Sequence, residues 1–323
     1  MQKLVLTPIT QALNEGALTR RELKELMRRS NTPALIHLGL FLLATLLTGS
    51  LIWLSHGTVF MLPAMFLHGV VLVHHFSLQH ECIHYTAFKT RWLNDIVGNY
   101  CGLVIMLPNR FFRYEHCDHH TYTQQNNADP EMIPLPKSIF GYLFYLSSIP
   151  YWRAKFKELA MHCAGILTDS EKKFTPKTEY KKLIFEARAM AAFYLVIIGY
   201  CIATHWWAPV WYWWLPVVLG EPVMRAIRMT EHVGRPAVKE MKVNTRSNLT
   251  NPIMRFLCWN MNYHAEHHYA SSVPFHALPS LHKKLTGYVH TEEKGYFGAH
   301  RDILRQLLGK QPRSDQTHGQ ANR

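Results

Sequence analysis

Residues 80–84 read His-Glu-Cys-Ile-His. Taken alone, H-E-x-x-H is the pattern of a zinc peptidase helix, in which His80 and His84 would hold the metal and Glu81 would activate a water. Two further clusters change that reading. "RYEHCDHHTYT" supplies His116, His119 and His120, and "NYHAEHHYASSVP" supplies His264, His267 and His268. Both are H-x-x-H-H. On a helix, residues at i, i+3 and i+4 share one face. Each triplet is therefore expected to aim three imidazoles at one point, with His80 and His84 adding two more. A ninth candidate, His232, stands in "MTEHVG". A catalytic zinc takes three protein ligands and a water, and a structural zinc takes four. Eight or nine convergent histidines exceed both counts and fit two metal ions. Imidazole suits iron, zinc, copper or nickel. The soluble di-iron bundle pattern of Glu ligands with E-x-x-H pairs does not match.

Long apolar runs must position these clusters. Residues 34–54 carry no formally charged side chain and are long enough to cross a bilayer, which takes about 20 residues. "SHGT" is a tight turn, and residues 59–78 return as a second span that ends just before His80. Lys3, Arg20, Arg21, Lys24, Arg28 and Arg29 precede the first span, whereas "SHGT" holds no Lys or Arg. The positive-inside rule then places the N-terminus and "HECIH" in the cytoplasm. "IVGNYCGLVIML" and "IFGYLFYLSSIPYW" are short for a crossing and read as interfacial or buried helices. The apolar region 189–220 is too long for one span and is broken at "HWWAPVWYWW". Trp and Tyr favour bilayer interfaces and Pro209 interrupts a helix, so two spans joined at an outer tip are expected. The second of these is the weakest, because Pro216 and Pro222 interrupt it and Glu221 sits near its end. Topology supplies a check. The second and third clusters can share a site only if an even number of crossings separates them.

Composition agrees with a membrane protein. The chain has 323 residues, a formal net charge of +13 with His neutral, and 48% hydrophobic residues. The basic residues sit in blocks between apolar runs rather than in a stripe with interleaved aromatics, so no nucleic-acid partner is expected. None of the six cysteines forms a C-x-x-C pair, and all read as reduced thiols. No apolar segment before a cleavage site marks a signal peptide. Residues 19–29 open with a capping box of Thr19 and Glu22 and continue as a basic amphipathic helix at a membrane surface. The expected organisation is a cytosolic amphipathic segment over 1–33, a membrane domain over 34–307 and a disordered tail over 308–323.

H-x-x-x-H at the end of a span (His80 to His84), R-x-x-H-x-x-H-H (Arg113 to His120), a two-span hairpin and N-x-H-x-E-H-H (Asn262 to His268) together resemble the membrane fatty acid desaturase family. "TYTQQNNADPE" and "ASSVPFHALPSLH" resemble it too, and the likeness runs over about residues 35–285. The resemblance implies an all-α integral membrane protein. It would have four transmembrane helices in two hairpins and a cytosolic helical cap with a histidine-ligated di-iron site. It implies O2 as co-substrate, a lipid-like substrate, and His232 as a ligand between the last span and the third box. The same family also contains hydroxylases and ketolases acting on carotenoids, sphingolipids or small polar compounds. A histidine-rich metal transporter or storage protein is the reading from another class. It would place polar residues at mid-membrane, whereas these ligands gather at one edge.

Nine neutral imidazoles leave the metal charge unbalanced, and acids could accept the other ring N–H of each ligand. Glu81, Glu115, Asp118, Glu231 and Glu266 lie within two residues of a candidate ligand, and Asp129 follows the second box. No dinucleotide fingerprint, haem motif or Fe–S cysteine cluster appears. Electrons must then come from a separate ferredoxin- or cytochrome-type carrier with its reductase. Basic segments such as "EYKKL", "RAKFK" and "HKKL" would face that carrier. A multi-pass protein of the bacterial inner membrane, with both termini and the site cytoplasmic, is the expected placement.

Overall fold

The computed structural model describes residues 8–310, and the chain is helical almost throughout. Two short helices, α1 (Pro8–Asn14) and α2 (Arg20–Leu26), precede the first long one. The capping box forms as the sequence implies, with Thr19 and Glu22 satisfying each other's backbone N–H groups. Ala12 and Leu18 are buried with Leu278, Leu281 and Leu285, so this segment packs against the C-terminal part of the chain. Helix α3 (Asn31–Leu54) exposes large apolar residues such as Leu46 and Trp53, as a lipid-facing helix does. Helix α4 (Met61–Val73) continues through a bend at His74 into α5 (His75–Ile83).

Helix α6 (Arg91–Ile105) and α7 (Asn109–Tyr122) follow. Then α8 (Ile139–Leu146) and α9 (Ile149–Cys163) expose Phe140, Leu143, Ile149 and Phe156, which suits helices at an interface. The short α10 (Asp169–Phe174) leads to α11 (Tyr180–Thr204). His205, in the left-handed conformation, ends α11. A π-helical turn, Val210–Trp214, begins after Pro209 and feeds α12 (Leu215–His232). The remaining helices are α13 (Met241–Asn244), α14 (Pro252–Leu257), α15 (His264–Tyr269), α16 (Leu278–Lys284) and α17 (Gly295–Leu307). A two-stranded parallel ladder pairs Ser247–Asn248 (β1) with Thr291–Glu292 (β2).

Among the described residues, three helices are long and apolar enough to cross a membrane: Asn31–Leu54, Met61–Ile83 and Lys177–Thr204. The expected fourth, α12, carries Glu221, Arg225, Arg228 and Glu231, which is why it lacks the apolar character of the others. The second is the central one. Its most apolar window is 61% buried, against 11% for the first and 22% for the third. It sits between α3 and α12, and α12 meets it backbone to backbone. A Cβ on Gly69 would lie 1.9 Å from the Pro216 carbonyl oxygen, and one on Gly220 would lie 2.3 Å from Gly69 backbone atoms. Small residues permit such approach between membrane helices, where dispersion rather than the hydrophobic effect drives association. His68 binds the other partners together, through Thr48 Oγ1 at 2.8 Å and the Tyr212 carbonyl at 3.0 Å. The residues expected as a disordered tail from 311 onward lie outside the described residues.

Candidate metal centre

Four helices deliver the nine histidines, and the structure sorts them into two groups. His80, His84, His116, His120 and His267 form one, and His119, His232, His264 and His268 form the other. Within each group the candidate ligand atoms lie within 4.8 Å of one another. The expectation that each H-x-x-H-H triplet converges on one point is corrected here. At about 100° per residue, the i and i+4 positions are about 40° apart around the helix, while i+3 is about 60° away on the other side. The i and i+4 pairs therefore share a group: His116 with His120, and His264 with His268. The i+3 residues, His119 and His267, cross to the opposite group. Helices α7 and α15 each serve both sites, which holds the two sites side by side.

The contacts between rings suit bound cations. His120 Nε2 lies 3.0 Å from both His116 Nε2 and His267 Nε2. His264 Nε2 lies 3.0 Å from His232 Nε2 and 3.1 Å from His268 Nε2. One ring nitrogen has one proton or one lone pair, so it cannot satisfy two such neighbours. Two nitrogens each about 2.1 Å from one ion and at right angles are about 3.0 Å apart. His84 Nε2 and His119 Nε2, and both ring nitrogens of His80, are buried with no hydrogen-bond partner among the described residues. Burial, followed by repulsion from the neighbouring imidazoles, drives the proton affinities of His120, His267 and His268 well below the usual histidine range. Neutral rings with inward lone pairs are what a metal ion requires. Five nitrogens at one group exceed the four of a zinc site.

Carboxylates set several of these rings. His116 Nδ1 donates to Glu131 Oε1 and His119 Nδ1 donates to Asp129 Oδ1, each at 2.7 Å. Such bonds fix the tautomer and leave Nε2 free for a metal. Asp129 also accepts the Gln124 and Glu131 N–H groups at 2.8 and 2.9 Å. Glu131 continues to Arg228 at 2.6 Å, and Arg228 reaches Glu231 at 2.5 Å. Glu231 lies 3.7 Å from His264 Nε2. Glu266 accepts from His282 Nδ1 at 2.5 Å and from the Ser247 hydroxyl. Glu81, by contrast, takes the Thr86 hydroxyl at 2.8 Å and the Phe275 N–H at 3.1 Å and meets no ligand ring. Asp118 is half-exposed without a hydrogen bond among the described residues, and Glu115 likewise contacts no ligand ring. His74 and His75 lie outside both groups and bond the Val70 and Leu72 carbonyls.

Sequence reasoning missed Glu131, Arg228 and His282. Glu131 stands two residues after Asp129, and Arg228 precedes His232 by one helical turn, so spacing along the chain held a signal for both. His282 gave none, because its partner Glu266 is on another helix. Comparison with known proteins decides the family. The family model for fatty acid desaturase matches residues 57–299. The chain belongs to the fatty acid desaturase family. This desaturase is 24% identical over 267 residues to an sn-1 oleoyl-lipid 12-desaturase of Arthrospira platensis, covering 76% of this chain and 75% of that one. It is 25% identical over 274 residues to the protein of the same name from Synechocystis sp. (strain ATCC 27184 / PCC 6803 / Kazusa), covering 78% and 75%. It is 23% identical over 238 residues to an omega-6 fatty acid desaturase, chloroplastic, of Brassica napus, covering 67% and 52%. The desaturase is thus a membrane oxidoreductase whose histidine clusters are built to hold metal.

Proposed function

We propose that the enzyme introduces a double bond into an acyl chain of a membrane lipid, with two irons held by the nine histidines. The observation that carries this reading is the division of nine buried imidazoles into groups of five and four with Nε2 spacings near 3.0 Å. His80, His84, His116, His120 and His267 would hold one iron, and His119, His232, His264 and His268 the other. Bound there, the irons would supply O2 activation and removal of one hydrogen from each of two adjacent carbons, with two external electrons and two protons completing the reduction of O2 to two waters.

The chain's own residues do the rest. Asp129 and Glu131 hold His119 and His116 in the ligating tautomer. Arg228 pairs with both Glu131 and Glu231 inside the buried site, at 2.6 and 2.5 Å. Phe76 and Phe112 lie against His80 and His116, giving the centre an apolar wall on the side of the α4–α12 core. An acyl chain entering from that side meets carbon rather than water.

Charge and tip composition support the proposed sidedness. Both hairpin tips are aromatic, with Trp53 and Phe60 at one and Trp206 and Trp207 exposed at the other. The centre lies at the opposite, basic end, which faces the cytoplasm of a bacterial inner membrane. Exposed Arg153, Lys157 and Lys283 there suit an acidic ferredoxin- or cytochrome-type donor.

The test is turnover. Iron-loaded enzyme is given an oleoyl lipid, O2, a carrier and its reductase, and products are identified by mass. An added double bond is expected, with no product from NADPH alone and a rate that falls as salt screens the carrier. An alcohol product, or sustained turnover without a carrier, would overturn the proposal.

A further inference from the structure

A cavity of about 770 Å³ opens beside the metal centre, between α6, α7 and the cytosolic half of α11. Tyr85, which follows His84, and Arg113, one turn before His116, form part of its wall. Its composition changes along its length. The mouth carries Arg110, Arg113, Lys181 and Lys182 against Asp95 and Glu186. The floor is apolar, with Leu103, Phe185, Met190 and Phe193. From Lys181 to Phe193 along α11 is about 18 Å at 1.5 Å per residue. The cavity is thus charged at the membrane surface and apolar in the depth of a membrane-crossing helix.

The acids at the mouth are already engaged. Glu186 accepts the Arg110 backbone N–H at 2.9 Å, Asp95 takes Arg113 at 3.0 Å, and Glu179 just outside takes both Arg110 and Lys182 at 2.8 and 2.7 Å. Lys181 has no carboxylate partner among the described residues and is exposed. Arg113 Nε is buried without a hydrogen-bond partner, while its guanidinium stacks 4.0 Å from the Tyr85 ring centre. That leaves an uncompensated cation and an unmet donor over an apolar floor.

We propose that this cavity binds an anionic lipid. A phosphate, sulfate or carboxylate headgroup would meet Lys181 and Arg113, and a tail would lie along Leu103, Met190 and Phe193. The site is separate from the nine-histidine centre, and its occupancy can be read without turnover. A soluble phosphate could meet the same cations, but it would leave the floor unused.

Native mass spectrometry of the full-length protein in detergent tests this. The probes are phosphatidylglycerol and phosphatidylcholine with matched tails, and inorganic phosphate as competitor. A Lys near a membrane surface favours an anionic lipid by about fivefold. Lys181→Gln should therefore weaken phosphatidylglycerol binding about fivefold and leave phosphatidylcholine unchanged. Lys157→Gln, an exposed cation outside the cavity, should change neither. Ala189 also lines the cavity, so Ala189→Trp should weaken the binding of phosphatidylglycerol by filling it, and inorganic phosphate should not displace the lipid. Equal binding of the two lipids, or wild-type phosphatidylglycerol affinity in Lys181→Gln, would overturn the proposal. Displacement by inorganic phosphate with no effect of Ala189→Trp would assign the site to a soluble anion instead.

Discussion

Asp129→Asn isolates the hold that one carboxylate has on one metal group. Asp129 accepts three N–H donors: His119 Nδ1 at 2.7 Å, the Glu131 N–H at 2.9 Å and the Gln124 N–H at 2.8 Å. The side chain is 2% exposed, so water cannot substitute. An amide has one accepting oxygen. If it faces His119 and Glu131, its NH2 points at the Gln124 N–H, donor against donor. If it faces Gln124, the NH2 opposes His119. Either orientation leaves at least one buried donor unmet, at about 1–3 kcal/mol. The surviving bond to His119 is no longer charge-assisted. Loss of such a partner lowers metal affinity by about 10–100-fold. His119 belongs to the four-histidine group, so the loss should be selective. Iron per chain, measured by elemental analysis after challenge with a graded chelator, should fall from about two to about one while the five-histidine group keeps its ion. Retention of two irons with wild-type chelator resistance would refute the argument that Asp129 sets His119.

Other outcomes follow from the same geometry. Burial lowers the proton affinity of His116, His120, His264, His267 and His268, so these rings are neutral in the fold and take up protons only on unfolding. The metal-free protein should therefore hold its full stability above about pH 6.5, the unfolded histidine value, and lose it as pH falls below that point. A thermal midpoint unchanged between mildly acidic and mildly basic buffer would contradict this. Gly69→Ala should abolish monodisperse folded protein, because overpacking typically costs about 1–3 kcal/mol and here the clash is with backbone. Gly39→Ala on α3, with nothing within 4 Å, should behave as wild type in the same size-exclusion assay. A reporter fused at Pro209 should read outside the cytoplasm and one fused in the loop that ends at Ser138 should read inside. A cytoplasmic signal at Pro209 would remove α12 as a crossing.

The eight histidines of the three clusters were legible in the sequence because of their spacing, His232 through the family resemblance, and α3 because a charge-free run marks it. The division of labour inside each triplet was harder to see. It depends on which side of α7 and α15 faces each partner helix, a property of packing rather than of spacing. The character of α12 was obscured for a related reason. Its charges are buried in pairs, Glu221 with Arg225 at 2.6 Å and Arg228 with Glu131 and Glu231. A hydropathy reading counts them as exposed costs. His282 was missed because its role comes from contact with Glu266 on another helix, Glu131 and Arg228 were missed although spacing held a signal for both, and Glu81 and Asp118 attracted notice only through nearness in sequence.

The sharing of α15 between both groups bears on how the protein is made. A chain that has emerged from the ribosome only as far as His232 offers four imidazoles at one group, from His80, His84, His116 and His120, and two at the other, from His119 and His232. Four imidazoles are a set that zinc accepts. The fifth, His267, and the last two of the other group, His264 and His268, arrive together on one short helix. Docking of that helix therefore completes both ligand sets in a single late event. Until then, the nascent chain offers only four histidines of one group and two of the other.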